Sequence, residues 1–178
     1  MTAISKVVQE YYESKLLKFG PTSRGVDWKD EESHKLRHAV ITDLVSLKAH
    51  ESVLDFGCGF GHYLTFLRDE GFDGEYFGLD ISEKMVEKAS LLFRADDQAT
   101  FSASSLLESQ ADVVVASGVF NLRLEVAEKD WLAYVDETIV ELAASATSRL
   151  ALNFLSGHSD VSKRGDNLHS ESIGRIAD

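Results

Sequence analysis

Asp55-Phe56-Gly57-Cys58-Gly59-Phe60-Gly61 follows the run Ser52-Val53-Leu54 and leads into Tyr63-Leu64-Thr65-Phe66-Leu67. A buried strand, a glycine-rich turn and a helix in that order are how an α/β domain receives a nucleotide-like ligand. The glycines admit positive φ and let a ligand approach the backbone closely. A P-loop would need Lys and then Ser or Thr after the last glycine, but His62-Tyr63 stand there. Gly57 and Gly59 fit the first two positions of a dinucleotide fingerprint, whereas the third glycine arrives one residue early, at 61. Asp55 decides more. A carboxylate at the end of the strand repels a pyrophosphate arriving at a helix N-terminus. The same carboxylate attracts an ammonium group, so a ligand with an amino-acid end and an adenosine end fits.

Outward from the turn, the chain alternates. Residues 76–79 make a second strand that ends at Asp80, where an acid accepts hydrogen bonds from ribose hydroxyls. Nicotinamide and adenosylmethionine sites share that acid. Ser82 is an N-cap for a helix running to about Phe93. Residues 99–103 form a weak third strand. The apolar run 111–117 reads as a fully buried parallel strand, 127–146 as a helix and 150–155 as a fifth strand. The alternation predicts a Rossmann-like α/β domain, a parallel sheet of order 3-2-1-4-5 covered on both faces.

Residues 1–49 read as an N-terminal helical cap region. One helix covers 3–19, and Gly20-Pro21 stops it. The loop 21–29 carries Arg24, Gly25, Asp27 and Trp28. Asp30 caps a second helix whose apolar residues are Leu36, Val40, Ile41, Leu44, Val45 and Leu47. Residues 50–155 are the ligand-binding core. Residues 156–178 are polar, with no run apolar enough for a strand, and read as a loop or disordered tail.

The chain has 178 residues and a net charge of −12, from 30 acids against 18 bases. Such a surface argues against tight non-specific nucleic-acid binding and against anionic membranes. The single cysteine rules out an internal disulfide and fits a reducing compartment. Without a signal-peptide pattern in 1–10, or an apolar run near the roughly 18 residues a span needs, the expected location is cytoplasmic.

V-L-D-F-G-C-G-F-G at 53–61, Y-F-G-L-D-I-S at 76–82 and A-D-V-V-V-A-S-G-V-F-N at 111–121 resemble the first, second and fourth strand motifs of class I S-adenosylmethionine-dependent methyltransferases. Y-Y-E-S-K, G-V-D-W and S-H-K-L-R upstream resemble a group of small bacterial members of unassigned substrate. The resemblance implies S-adenosylmethionine as cofactor and a small molecule as methyl acceptor. It places Asp55 near the methionine amino group, with Gly57, Cys58, Gly59 and Gly61 in backbone contact with the methionine moiety. Asp80 would hold the ribose, Ile81 would pack on adenine, and Ser117 with Gly118 would lie under the sulfonium. The family often has an acid after the third strand; here Ser105 aligns with it. Tyr12 and Trp28 are candidates to cover the substrate, Arg24 and Arg37 to grip a carboxylate, and Asn153 to meet a ligand at the strand ends. Each also has a plain structural reading. No residue is assigned as catalytic, and no metal is expected, because no His or Cys cluster accompanies Cys58. The hairpin strands that usually close the family's sheet are not evident. Strand five would then be an open edge, so a homodimer through it, or cover from the tail, is expected. A non-catalytic relative and a nicotinamide oxidoreductase are the alternatives.

Overall fold

The computed structural model describes residues 2–104, 110–155 and 168–170. Two helices come first, α1 (Ala3–Phe19) and α2 (Glu31–Val45), separated by a 3-10 turn at Ser23–Val26. Thr2 caps α1 by accepting from the Ser5 amide, and the Asp30 carboxylate caps α2 by accepting from the Ser33 amide. Next come β1 (Val53–Phe56), α3 (His62–Asp69), β2 (Tyr76–Asp80), α4 (Glu83–Leu92), β3 (Ala99–Ala103), β4 (Ala111–Ala116), α5 (Glu128–Ser145) and β5 (Ala146–Leu152).

All four pairings are parallel, and the strand order is β3-β2-β1-β4-β5, as the alternation predicts. Side chains two apart share a face. Val53, Val113 and Val115 therefore meet Ile41 and Val45 of α2 and Tyr63, Leu64 and Leu67 of α3. Leu54, Phe56, Val114 and Ala116 face the other way, onto Trp131, Val135 and Leu142 of α5, with Ile4 and Val8 of α1 beside them. Both faces of β1 and β4 are thus dry, which explains their unbroken apolar runs.

Three expectations shift. β5 begins at Ala146, directly after α5, and ends at Leu152 rather than spanning 150–155. Thr147, Ser148 and Arg149 fall between the expected helix and strand, but a strand paired only with β4 tolerates polar residues there. The apolar stripe of α2 is split: Ile41 and Val45 are buried as expected, but Leu36, Val40 and Leu44 are exposed, and His34 and His38 take the rest of the buried face. Only the part of the stripe that faces the sheet found a partner surface. Within the polar C-terminal segment, Leu168 forms an antiparallel bridge with Leu122, and the His169 amide donates to the Asn121 carbonyl at 2.9 Å. So 168–170 dock on the loop after β4 instead of hanging free.

Candidate functional site

The carboxyl ends of β1, β2 and β4 open into a cleft of about 340 Å³, within the usual range for small-ligand sites. Its floor is the turn after β1. Gly57, Gly59 and Gly61 have φ of 79°, 56° and 86°, a run that L side chains rarely adopt. A Cβ on Gly57 would stand 2.5 Å from the Val119 Cγ2, so the turn has room for backbone only. The Gly57 and Cys58 amides donate to the Leu79 carbonyl, at 2.7 and 2.9 Å, and tie the turn to the end of β2.

Asp80 completes that tie. Its two carboxylate oxygens accept from the Gly59 amide at 2.9 Å and the Ser82 amide at 2.8 Å. Burial raises its pKa, and the backbone donors Ser82, Gly59 and Ile81 oppose the rise. Asp55 lies deeper, 3% exposed, and accepts from the Tyr76 hydroxyl at 2.5 Å. Loss of water pushes its pKa up to about 7, against the lowering effect of the Tyr76 hydrogen bond, with Asp80 adding to the rise. Two carboxyls of raised proton affinity beneath a cleft form a site prepared for a cation or for hydroxyl donors.

The roof comes from the N-terminal region. The Tyr11 hydroxyl and the Lys15 ammonium each donate to Asp27 at 2.6 Å, which pins the 23–29 loop onto α1. Glu13 accepts from Ser82 Oγ at 3.1 Å and from Lys84 Nζ at 2.5 Å, anchoring α1 to the start of α4. Val8, Gln9 and Tyr12 of α1 line the cleft as a result. Trp28 reaches across to β4, where a Cβ on Gly118 would lie 2.9 Å from its ring. The Arg37 guanidinium sits 4.6 Å from the Trp28 ring centroid.

Of the residues singled out from sequence, Asp55, Gly57, Cys58, Gly59, Asp80, Ile81 and Ser117 line this cleft, as do Tyr12, Trp28 and Arg37. Gly61 does not. It closes the turn from behind, its amide donating to the Cys58 carbonyl at 3.0 Å, and its Cα faces Phe93. Arg24 is exposed and apart from the cleft. Asn153 has both ends engaged in holding the strand ends: Oδ1 accepts from the Gly118 amide at 2.7 Å, and Nδ2 donates to Ser117 Oγ at 2.8 Å. It supports the cleft without facing it. Ser105 lies outside the described residues; its neighbour Ser104 lines the cleft. Cys58 is buried and its pKa is pushed far up by burial, so its thiol stays protonated and inert.

The sequence reading weighs His62 as surface, core or functional without assigning it to the site, and gives His34 and His38 no role. His34 and His38 of α2 and His62 of α3 come together on one wall of the cleft. The His34 and His62 rings stack at 4.0 Å, and Nε2 of His38 lies 3.0 Å from Nδ1 of His62. Burial, then neighbouring positive charge, lowers the pKa of His34 to about 2 and of His38 to about 3, so both are neutral. The spacing of His34 and His38, one helical turn apart, was the available signal. The partner at 62 was hidden by its distance of 24 positions along the chain from His38.

A family profile described as a methyltransferase domain matches residues 54–143, from β1 into α5. Rv1506c, a protein of Mycobacterium tuberculosis named as a methyltransferase, is 37% identical over 118 residues, covering 66% of this chain and 71% of that one. Among solved structures, the magnesium protoporphyrin IX methyltransferase of Synechocystis PCC 6803 with bound S-adenosylmethionine superposes with a TM-score of 0.69 at 21% identity, over 99% of this chain and 83% of that one. Coclaurine N-methyltransferase, bound to N-methylheliamine and S-adenosylhomocysteine, gives 0.56 at 12% identity, over 71% and 37%. At these identities the two superpositions speak for the fold.

Proposed function

The chain belongs to the class I S-adenosylmethionine-dependent methyltransferase family, and from that premise we propose that the cleft above β1 and β2 binds S-adenosylmethionine and presents its methyl group to a small-molecule acceptor. The observation that carries the proposal is the pairing of Asp55 and Asp80 around a turn that admits only backbone. The residues present fit the cofactor. Asp55, buried and near neutrality, gains an ammonium partner that offsets the cost of its charge. Asp80 is already held by the Gly59 and Ser82 amides, and its remaining lone pairs take the ribose hydroxyls. Ile81 supplies an apolar face for adenine. Gly57 and Gly59 let the methionine portion lie against the backbone.

When bound, the cofactor supplies a sulfonium methyl that an acceptor lone pair takes by in-line displacement, the carbon–sulfur pair remaining on sulfur. The protein's part is alignment and exclusion of water. Ser117 and Gly118, braced by Asn153, form the floor at the end of β4. Trp28 and Tyr12 cover the cleft from above, and Arg37 stands ready for an anionic group on the acceptor. The enclosed, partly apolar cleft and the strongly acidic chain favour a small acceptor over a nucleic acid. The two structural relatives described above, named for small substrates, support the same choice.

Incubation with methyl-labelled S-adenosylmethionine and a cell extract, followed by dialysis, tests the acceptor class. Label that appears, only when the chain is added, in dialysable species other than the cofactor supports a small acceptor; transferred label confined to macromolecules overturns it. The outer edge of β5 has no strand partner among the described residues. Self-association through it belongs to the same proposal, and sedimentation showing a monomer removes it.

A further inference from the structure

We propose that His34, His38 and His62 form a binding site for one divalent late first-row metal ion, with zinc as the reference ion, on the wall of the cofactor cleft. One ligand nitrogen from each residue lies within 4.8 Å of the other two. Three imidazoles with one open position are a common zinc arrangement, and imidazole prefers zinc, copper, nickel and iron to magnesium or calcium.

Four features point to a ligand rather than to ordinary packing. His34 and His38 are 4% and 3% exposed, on a helix whose leucines face solvent, so the buried face of α2 was given to imidazoles in place of available apolar residues. Buried polar groups are nearly always hydrogen-bonded, yet Nδ1 of His38 is buried without a partner. The other contact of His38 is with a second imidazole, His62. Of two neutral rings joined that way, one donates its N–H and the other accepts, and an ion between them would replace that single bond by taking a lone pair from each facing nitrogen. Lastly, Ser23 Oγ lies 3.3 Å from Nδ1 of His34. A hydroxyl accepting there fixes the proton on Nδ1 and leaves Nε2 free to coordinate, the outer partner that metal-bound histidines usually have.

Zinc–nitrogen distances of about 2.05 Å in a tetrahedron place ligand nitrogens roughly 3.3 Å apart. The 3.0 Å separation of His38 and His62 is already at that scale. The His34 ring must turn out of its stack on His62 to converge, and His62 is half-buried at the start of α3, where it has room to adjust. The charged groups that face the cluster are Arg37, Lys35 and Glu31. Arg37 is drawn toward Trp28. All three histidines line the cleft, so the open coordination position faces it. The site stands independently of methyl transfer, and its test needs neither cofactor nor acceptor.

The experiment uses the full, untagged chain. After chelator treatment and dialysis, Co2+ is added as a spectroscopic probe, and Zn2+ is followed by calorimetry and thermal melting. One equivalent of Co2+ should bind with visible bands of tetrahedral intensity. Zn2+ should displace it and raise the melting temperature. His38→Ala should weaken binding at least tenfold. His62→Ala, at a half-buried position that tolerates truncation better, should do the same while circular dichroism shows an intact fold. Sub-stoichiometric binding by the parent chain overturns the proposal. So does stoichiometric binding that survives in a folded His62→Ala variant, since the ion would then sit elsewhere.

Discussion

Asp55→Asn should make the free protein more stable and the cofactor site much weaker. The carboxyl sits at 3% exposure with the Tyr76 hydroxyl as its hydrogen-bond donor, and burial raises its pKa from 3.8 to about 7. The folded chain therefore holds this proton more tightly than the unfolded chain. The group's stabilising contribution is complete below 3.8 and is lost as pH rises through about 7. At about 1.36 kcal/mol per tenfold change in proton affinity, the gap amounts to roughly 4 kcal/mol at alkaline pH. That figure is a ceiling. Asparagine keeps an acceptor for Tyr76 but brings two N–H donors that need partners in a buried place, which returns about 1–3 kcal/mol. The net expectation is a gain of about 1–3 kcal/mol near pH 8 that falls as pH drops and becomes a loss of about 1–3 kcal/mol near pH 4. Urea denaturation of both proteins across that range reads it directly. S-adenosylhomocysteine should lose about 1.5–3 kcal/mol of affinity, or more than tenfold, because a charged hydrogen-bond partner of its ammonium is gone. A variant no more stable than its parent at the alkaline end refutes the buried-charge reasoning. A variant that binds S-adenosylhomocysteine as tightly as its parent refutes the ammonium assignment.

Other perturbations probe the remaining parts of the site and its frame. Asp80→Ala should weaken S-adenosylhomocysteine by about 1–3 kcal/mol in calorimetry, since it removes a charged acceptor and frees the Gly59 amide it holds at 2.9 Å. Gly61→Ala places a Cβ at φ 86° and 2.6 Å from the Phe93 ring. A loss of about 2 kcal/mol and a melting temperature roughly 4–8 °C lower are expected by calorimetric scanning. Arg68→Ala should destabilise by about 2–4 kcal/mol in urea titration. Its guanidinium holds Asp96 at 2.8 Å and the Phe72 and Gly74 carbonyls, and the change takes this donor from all three, leaving Asp96 with the Gln98 amide.

The sheet was legible because β1 and β4 are buried on both faces and write continuous apolar runs, while glycines and caps such as Ser82 punctuate the alternation. The cleft floor was legible for a related reason: a turn that excludes side chains must be spelled in glycine, and an acid at each of two strand ends stands out beside it. The misplaced features depend on partners remote in sequence. α2 shows its leucine stripe to solvent because α3 presents it with His62, Tyr63 and Phe66, next to which His34 and His38 pack. β5 could include Thr147 and Arg149 because one side of an edge strand need not be apolar. Asn153 and Gly61 lie beside the cleft without lining it: one braces the end of β4 and the other packs on Phe93, and side-chain direction at a strand end is not written in residue type.

The central claim is that the cleft between Asp55 and Asp80 is an adenosylmethionine site. Titration calorimetry of the parent chain with S-adenosylhomocysteine and, separately, with NADH tests it most directly. The account predicts saturable binding of one S-adenosylhomocysteine per chain and none of NADH. Binding of NADH alone, or of neither ligand, would contradict it.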